Sequence, residues 1–305
     1  MNNQDSFETL SREYAQAVHK YLNNIKNVYS KDYFEILQKN LLIKNKESFS
    51  LGVLFLLLNS LSETDYFEVK FDLAVELEVI FVASNLIDDI VDEDDENLLS
   101  ANELLINSLS LLFKTIYKLY DLTKDTLEIS IVLKFLNQSI EGEVFDFYST
   151  MTESTTIKKY FSEMLKKSTS LIQLVCYVAC PTFPEIWNSF AEFLGNAFQI
   201  QDDSVDSLNI EKADIKKHKE TLPMIKVTEY AKLENNEAII DIIKHKRYDC
   251  YSSILLTDYI KNSGALEFSL NVSTLYAEKA FQILRDVFIS KESDVEMIVK
   301  YLKEG

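Results

Sequence analysis

Asp88-Asp89-Ile90-Val91-Asp92 and Asp202-Asp203-Ser204-Val205-Asp206 share the spacing DDxxD, lie more than a hundred residues apart, and each closes an apolar run. Carboxylate oxygens are the donors that a hard divalent cation such as Mg²⁺ prefers, with phosphate oxygens completing its coordination. Two such clusters facing one cavity make a site for divalent metal and a diphosphate. On a helix, Asp88 and Asp92 stack one turn apart with Asp89 about 100° round from Asp88. Asp202, Asp203 and Asp206 repeat the arrangement. Like charges at i and i+4 cost about 0.2–0.5 kcal/mol per pair unless a cation sits between them. A charge run is ordinarily a solvated face. Here Leu86-Ile87 and Phe198-Gln199-Ile200 set each cluster beside residues that read as core, which turns the carboxylates toward a cavity.

The elements that must position them are helices. With 5 Gly and 3 Pro in 305 residues there is little material for tight turns, while 47% hydrophobic residues supply a large core. The apolar spacing predicts helices near 5–28, 31–42, 47–61, 66–93, 101–122, 125–149, 155–179, 184–207 and 219–233, then several shorter ones. Pro181 and Pro184 mark one loop, and Pro223 fits the first turn of a later helix. Both acidic clusters then fall at helix carboxyl ends, where the dipole is negative, and this again calls for a cation. No Pro/Gly/Ser-rich linker divides the chain and no repeat of fixed period is present, so residues 1–305 read as a single all-α domain.

Other chemistries find little support. Cys176 and Cys180 lie four apart on an apolar run and, with Cys250, form no CxxC pair, so they read as core thiols. His19, His218 and His245 have no metal-ligand or triad spacing. A net charge of −18 repels nucleic acid, and it admits an anionic diphosphate only where metal ions and placed lysines invert the local field. Polar residues interrupt every apolar stretch before the ~18 residues that span a bilayer, and the amino terminus is polar, which leads us to expect a cytoplasmic protein. The sole tryptophan, Trp187, is expected to pack between helices.

Gly195-Asn196-Ala197-Phe198-Gln199-Ile200-Gln201-Asp202-Asp203 resembles the second aspartate-rich motif of the trans-isoprenyl diphosphate synthases, which have the class I isoprenoid synthase fold. Asp214 followed by Lys219-Glu220-Thr221-Leu222-Pro223 is similar to that family's D…GKxTLP segment, with His218 where Gly is usual. Glu78, ten residues before Asp88, matches a common Glu on the helix leading to the first motif. Gly142-Glu143 with Asp146 resembles GQxxD, with Glu in place of Gln, and Lys167-Ser168 with Leu171 resembles KTxxL. The matches run in order from about Lys46 to Pro223. The resemblance implies a bundle of about ten or more helices around a central cavity and a homodimer formed through two central helices.

The departures concern the second substrate of that family. Its GKxxRP segment aligns best with Asn45-Lys46-Glu47-Ser48-Phe49, which puts Phe49 at the arginine position. The arginine pair expected after the first motif is Asn97-Leu98. A guanidinium fork clamps a diphosphate bidentately, and neither Asn nor Leu replaces it. Arg12, Arg247 and Arg285 are the whole arginine complement. The isopentenyl half of the site is altered, and the allylic half is retained.

The resemblance implies that Asp88, Asp89 and Asp92 hold metal on one side of an allylic diphosphate and Asp202, Asp203 and Asp206 on the other, with up to three Mg²⁺. Lys167 and Lys219 contact the diphosphate, and Ser168, Gln199, Glu143, Asp146 and Lys46 belong to the substrate site. Ala83 and Ser84, small residues five and four before Asp88, leave room for a farnesyl or longer chain. An intact allylic site without isopentenyl arginines resembles the bacterial enzymes that prenylate a tryptophan in a competence-type pheromone peptide. A chain-elongating polyprenyl diphosphate synthase is the second reading and a terpene cyclase the third. A non-catalytic helical regulatory protein is the fourth, and retention of all six aspartates and Lys219 speaks against it.

Overall fold

The computed structural model describes residues 3–47, 49–62, 64, 66, 68–92, 99–123, 127–152, 155–182, 185–210, 212–247 and 249–304. Among the described residues every regular element is helical. The elements are α1 (Asn3–Ile25), α2 (Lys31–Glu47), α3 (Leu51–Leu61), α4 (Lys70–Asp92), α5 (Ala101–Thr123) and α6 (Ile129–Tyr148). They continue with α7 (Ile157–Lys159), α8 (Lys166–Ala179), α9 (Glu185–Asp206), α10 (Ala213–Lys216) and α11 (Leu222–Glu234). The chain closes with α12 (Glu237–Lys244), α13 (Cys250–Asn262), α14 (Ala265–Val287) and α15 (Glu292–Glu304). No helix of the described residues is long and apolar enough to cross a membrane.

The first DDxxD cluster occupies the last turns of α4 and the second those of α9. The helix between them in space is α8, which packs on α3, α6 and α9, while α4 packs on α3 and α5 and α9 packs on α14. Two glycines set that closeness. A Cβ on Gly142 of α6 would meet the Lys167 backbone nitrogen at 2.5 Å, and one on Gly195 of α9 would meet Thr169 Cα at 2.6 Å. Both helices therefore run against the first turn of α8, which carries Lys167.

The expected helix over 155–179 is interrupted. Between α7 and α8 lies a π-helical turn, Tyr160–Met164, followed by Leu165. The one-residue bulge leaves the apolar period nearly intact, which is why periodicity alone does not reveal it. The expected helix over 47–61 starts instead at Leu51. Ser50 is its N-cap, its hydroxyl accepting from the Val53 N–H at 3.2 Å. The buried Glu78 carboxylate completes this cap, accepting from Ser50 Oγ at 2.7 Å and from the Gly52 N–H at 3.0 Å, where the dipole of α3 is positive. Tyr301 of α15 ties the same residue to the carboxyl end of the chain. Its hydroxyl accepts from the Ser50 N–H at 2.8 Å and donates to the Ser50 carbonyl at 3.3 Å.

Pro223 stands in the first turn of α11, as its sequence position predicts. Trp187 is buried against Phe190 and Phe288. His218, where the resembling family has Gly, adopts a left-handed φ of 49°. That backbone is one Gly takes without strain. Burial pushes its imidazole down to about 4, so the ring is neutral, and its carbonyl accepts from the Met151 N–H at 2.7 Å.

Glu76 of α4 is buried, and burial pushes its carboxyl up to about 7 from 4.5. A raised folded-state value means that folding favours the protonated form. The stabilisation is full below pH 4.5 and is lost as pH rises through about 7. Glu76→Gln is therefore expected to raise unfolding free energy by about 2–3 kcal/mol at pH 8 and to change it little at pH 4. Urea unfolding at the two pH values checks this, and an equal effect at both would contradict it.

Candidate active site

Lys167 leads α8 into the space between the ends of α4 and α6. Its ammonium lies 3.4 Å from Asp88, 3.5 Å from Glu143 and 3.3 Å from Asp146. Lys219, just after α10, lies 2.6 Å from Asp92 and 2.7 Å from Asp146, so Asp146 bridges the two lysines. Burial alone would lower both ammoniums, but the carboxylates outweigh it and hold them above the ordinary lysine value. Asp203 of the second cluster adds to this field on Lys167, so both clusters act on one ammonium.

The carboxylates divide accordingly. Burial would raise Asp88 and Asp146, but the lysines bring both below the usual range. Glu143 is pushed up to about 8, first by burial and then by the Asp88 charge, against the pull of Lys167. Asp92 is raised by burial despite Lys219. Asp203 is pushed up to about 7 by burial, although Tyr160 donates to it at 2.5 Å and Gln199 at 2.7 Å. Ser168 donates in turn to Gln199, so α8 and α9 share one network.

Of the residues expected from sequence, Asp88, Asp92, Glu143, Asp146, Lys167 and Lys219 converge on one cluster, and Ser168, Gln199 and Asp203 form the adjoining network. Asp89 is half-buried on the same turn as Asp88. Asp206 lies 3.8 Å from Lys212, and Asp202 lines a cavity that Ser168 lines as well. Ala83 is buried in the main core and Ser84 is half-buried beside it. The Lys46 side chain, Asn97 and Leu98 lie outside the described residues.

Two residues were missed. Tyr160 stands on the π-helical turn and donates to Asp203, and nothing in its spacing marks it. Lys217 donates to the Asp92 carbonyl at 3.2 Å and so caps the negative end of α4. Lysines thus supply cations at the helix end whose dipole had called for one.

The donor set also suits a metal. Oxygens of Asp88, Glu143 and Asp146 lie within 4.8 Å of one another, and the second Glu143 oxygen is buried with no hydrogen-bond partner. Such an all-oxygen set fits a hard divalent cation. With two buried ammoniums alongside, it fits a cation and a diphosphate together.

A model of the polyprenyl synthetase family matches residues 30–255. The chain belongs to the polyprenyl synthetase family. Tryptophan prenyltransferase ComQ of Bacillus subtilis (strain 168) is 25% identical over 296 residues, covering 91% of this chain and 95% of ComQ. The all-trans-nonaprenyl-diphosphate synthase (geranyl-diphosphate specific) of Rhodobacter capsulatus is 28% identical over 232 residues, 70% of each chain. Among solved structures, a polyprenyl synthase from Caulobacter crescentus CB15, complexed with calcium and isoprenyl diphosphate, superposes with a TM-score of 0.76. That match covers 99% of this chain and 97% of the other at 17% identity, and it shows the polyprenyl synthase fold. Membership of the polyprenyl synthetase family makes this chain a prenyl-transferring enzyme.

Proposed function

We propose that the whole chain works as one catalytic domain that ionises an allylic prenyl diphosphate, farnesyl or longer, and transfers the prenyl group to a tryptophan of a peptide. The observation that carries the acceptor is Phe49. At the position of a diphosphate-clamping arginine it packs on Phe198 with ring centroids 4.4 Å apart. Similarity to ComQ along nearly the whole chain supports the same acceptor. Small Ala83 and Ser84 on α4 support a long donor chain.

In this reading Asp88, Glu143 and Asp146, with Asp92 and the second cluster, hold Mg²⁺, which when bound neutralises charge growing on the departing pyrophosphate. Lys167 and Lys219 donate to the diphosphate oxygens, fixed donors that need no reorganisation as the charge develops. The donor C1–O bond breaks and its electron pair leaves on pyrophosphate. An indole π bond supplies the pair for the new carbon–carbon bond, and the indole gives up one proton. The apolar walls of the site keep water from the allylic cation.

Binding of farnesyl thiodiphosphate, an unreactive donor analogue, tests the donor half. Calorimetry is expected to show Mg²⁺-dependent binding to the wild type and none to Asp88→Ala. Equal binding by both proteins would favour a scaffold over an enzyme.

A homodimer belongs to the same proposal. Ile106, Leu109, Phe113, Tyr117 and Tyr120 line one face of α5 and stay exposed, with Phe113 and Tyr117 at 68% and 69%. Ile140, Val144 and Tyr148 do the same on α6. So continuous an apolar face suits a twofold contact with a second copy. Light scattering is expected to give twice the 35.3 kDa of one chain, and Phe113→Asp with Tyr117→Asp should give the single-chain mass. A wild type that scatters as one chain would end this part of the proposal.

A further inference from the structure

Glu220, next after Lys219, is a buried carboxylate that the diphosphate site does not use. Its oxygens face the connection between α6 and α8 instead. One accepts from Thr155 Oγ1 at 2.9 Å, the other from the Lys159 ammonium at 2.6 Å, where α7 ends. On the other side of Lys219, the His218 carbonyl accepts from the Met151 N–H of the same connection at 2.7 Å. Lys219 thus stands between two residues tied to one segment.

The next residue of that segment carries the tie across the site. Tyr160 follows Lys159, opens the π-helical turn and donates to Asp203 at 2.5 Å. Gln199 donates to the other Asp203 oxygen at 2.7 Å, which fixes how this carboxylate is turned. Helix α7 is short but pinned at its start. The Thr156 hydroxyl accepts from the Lys159 N–H at 3.2 Å, and the Thr156 carbonyl accepts from the Tyr160 N–H at 3.2 Å. Adjacent side chains therefore hold the loop of Lys219, through Glu220, and an aspartate of the second cluster.

A buried ion pair is a poor source of stability, because desolvating two charges offsets their attraction and apolar side chains of the same volume often do as well. What it supplies is position, since charge-assisted bonds are short and aligned. We propose that Glu220 is a positioning residue for Lys219, and that Lys159 and Tyr160 make α7 a brace that keeps this ammonium and the Asp203 carboxylate in register across the site. The inference rests on the donor reading above, in which Lys219 meets the diphosphate and Asp203 a metal ion, and adds what sets their spacing.

The test reads two quantities in the full chain: kcat and KM for Mg²⁺-dependent pyrophosphate release from farnesyl diphosphate, and the Mg²⁺ concentration at which farnesyl thiodiphosphate is half-bound, by calorimetry. Glu220→Gln is expected to lower kcat about tenfold with KM little changed, short of the ~10²-fold that a full 1 Å displacement costs. In a Lys219→Met background the same substitution should cost nothing more, because no ammonium is left to place. Lys159→Met should both lower kcat and raise the Mg²⁺ requirement about fivefold, while Lys159→Arg, which keeps a cation on Glu220, recovers most of both. Exposed Lys158 is the control, and Lys158→Met should behave as wild type. A Glu220→Gln variant at full rate, or a loss that multiplies with that of Lys219→Met, would overturn the positioning role. An unchanged Mg²⁺ requirement in Lys159→Met, or equal losses in Lys158→Met, would overturn the brace and leave the donor reading standing. A wild type that binds no farnesyl thiodiphosphate would remove both readings together.

Discussion

Lys219→Met is expected to slow Mg²⁺-dependent pyrophosphate release from farnesyl diphosphate by about 10²–10³-fold, the usual cost of deleting one fixed donor to a developing anion. Lys219 is buried, 2.6 Å from Asp92 and 2.7 Å from Asp146, so it holds both carboxylates in place before any ligand arrives. Removing one partner of a buried ionic cluster leaves uncompensated charge and costs about 3–5 kcal/mol. Part of that loss should return on adding Mg²⁺, because a cation offers the two carboxylates an alternative partner. Thermal unfolding with and without Mg²⁺, run beside a pyrophosphate-release assay, separates the two effects. A folded variant that releases pyrophosphate at the wild-type rate would remove Lys219 from the chemistry.

Gly142→Ala is expected to damage activity through a methyl group that touches no substrate. The added Cβ would sit 2.5 Å from the Lys167 nitrogen and 3.0 Å from its Cα, both backbone atoms that cannot rotate away. Helices α6 and α8 must then separate, at a cost of about 1–3 kcal/mol. The separation moves Lys167 relative to Glu143 and Asp146, and a displacement near 1 Å in a positioned group costs about 10²-fold in rate. A calorimetric melting temperature and a turnover number on the same preparation check both parts. An active variant with unchanged melting temperature would mean that the two helices can slide without consequence.

The residues that make the site differ in how they announce themselves. Two DDxxD clusters at the ends of apolar runs are visible because like charges on one helix face require a counter-charge. Glu143, Asp146 and Lys167 are visible only through resemblance to a family, since nothing local distinguishes one carboxylate on a half-polar helix from another. Tyr160 was hidden by the π-turn that carries it, which shifts the helical register by a residue without disturbing hydrophobic spacing. Phe49 stood out in sequence as a missing arginine. Its contacts with Phe198 and Phe81 arise from helices far apart in the chain, so no periodicity could show the aromatic cluster that it joins. The long helices were legible to within a few residues for the opposite reason, because each buries one continuous face.

Mass spectrometry of products from purified protein, Mg²⁺ and farnesyl diphosphate, offered isopentenyl diphosphate or a tryptophan-containing peptide, tests the central claim most directly. The account predicts a peptide heavier by one farnesyl group, released pyrophosphate, and no product longer by five-carbon units. Elongation with isopentenyl diphosphate and an unmodified peptide would contradict it and make this chain a polyprenyl diphosphate synthase whose clamp is built without those arginines.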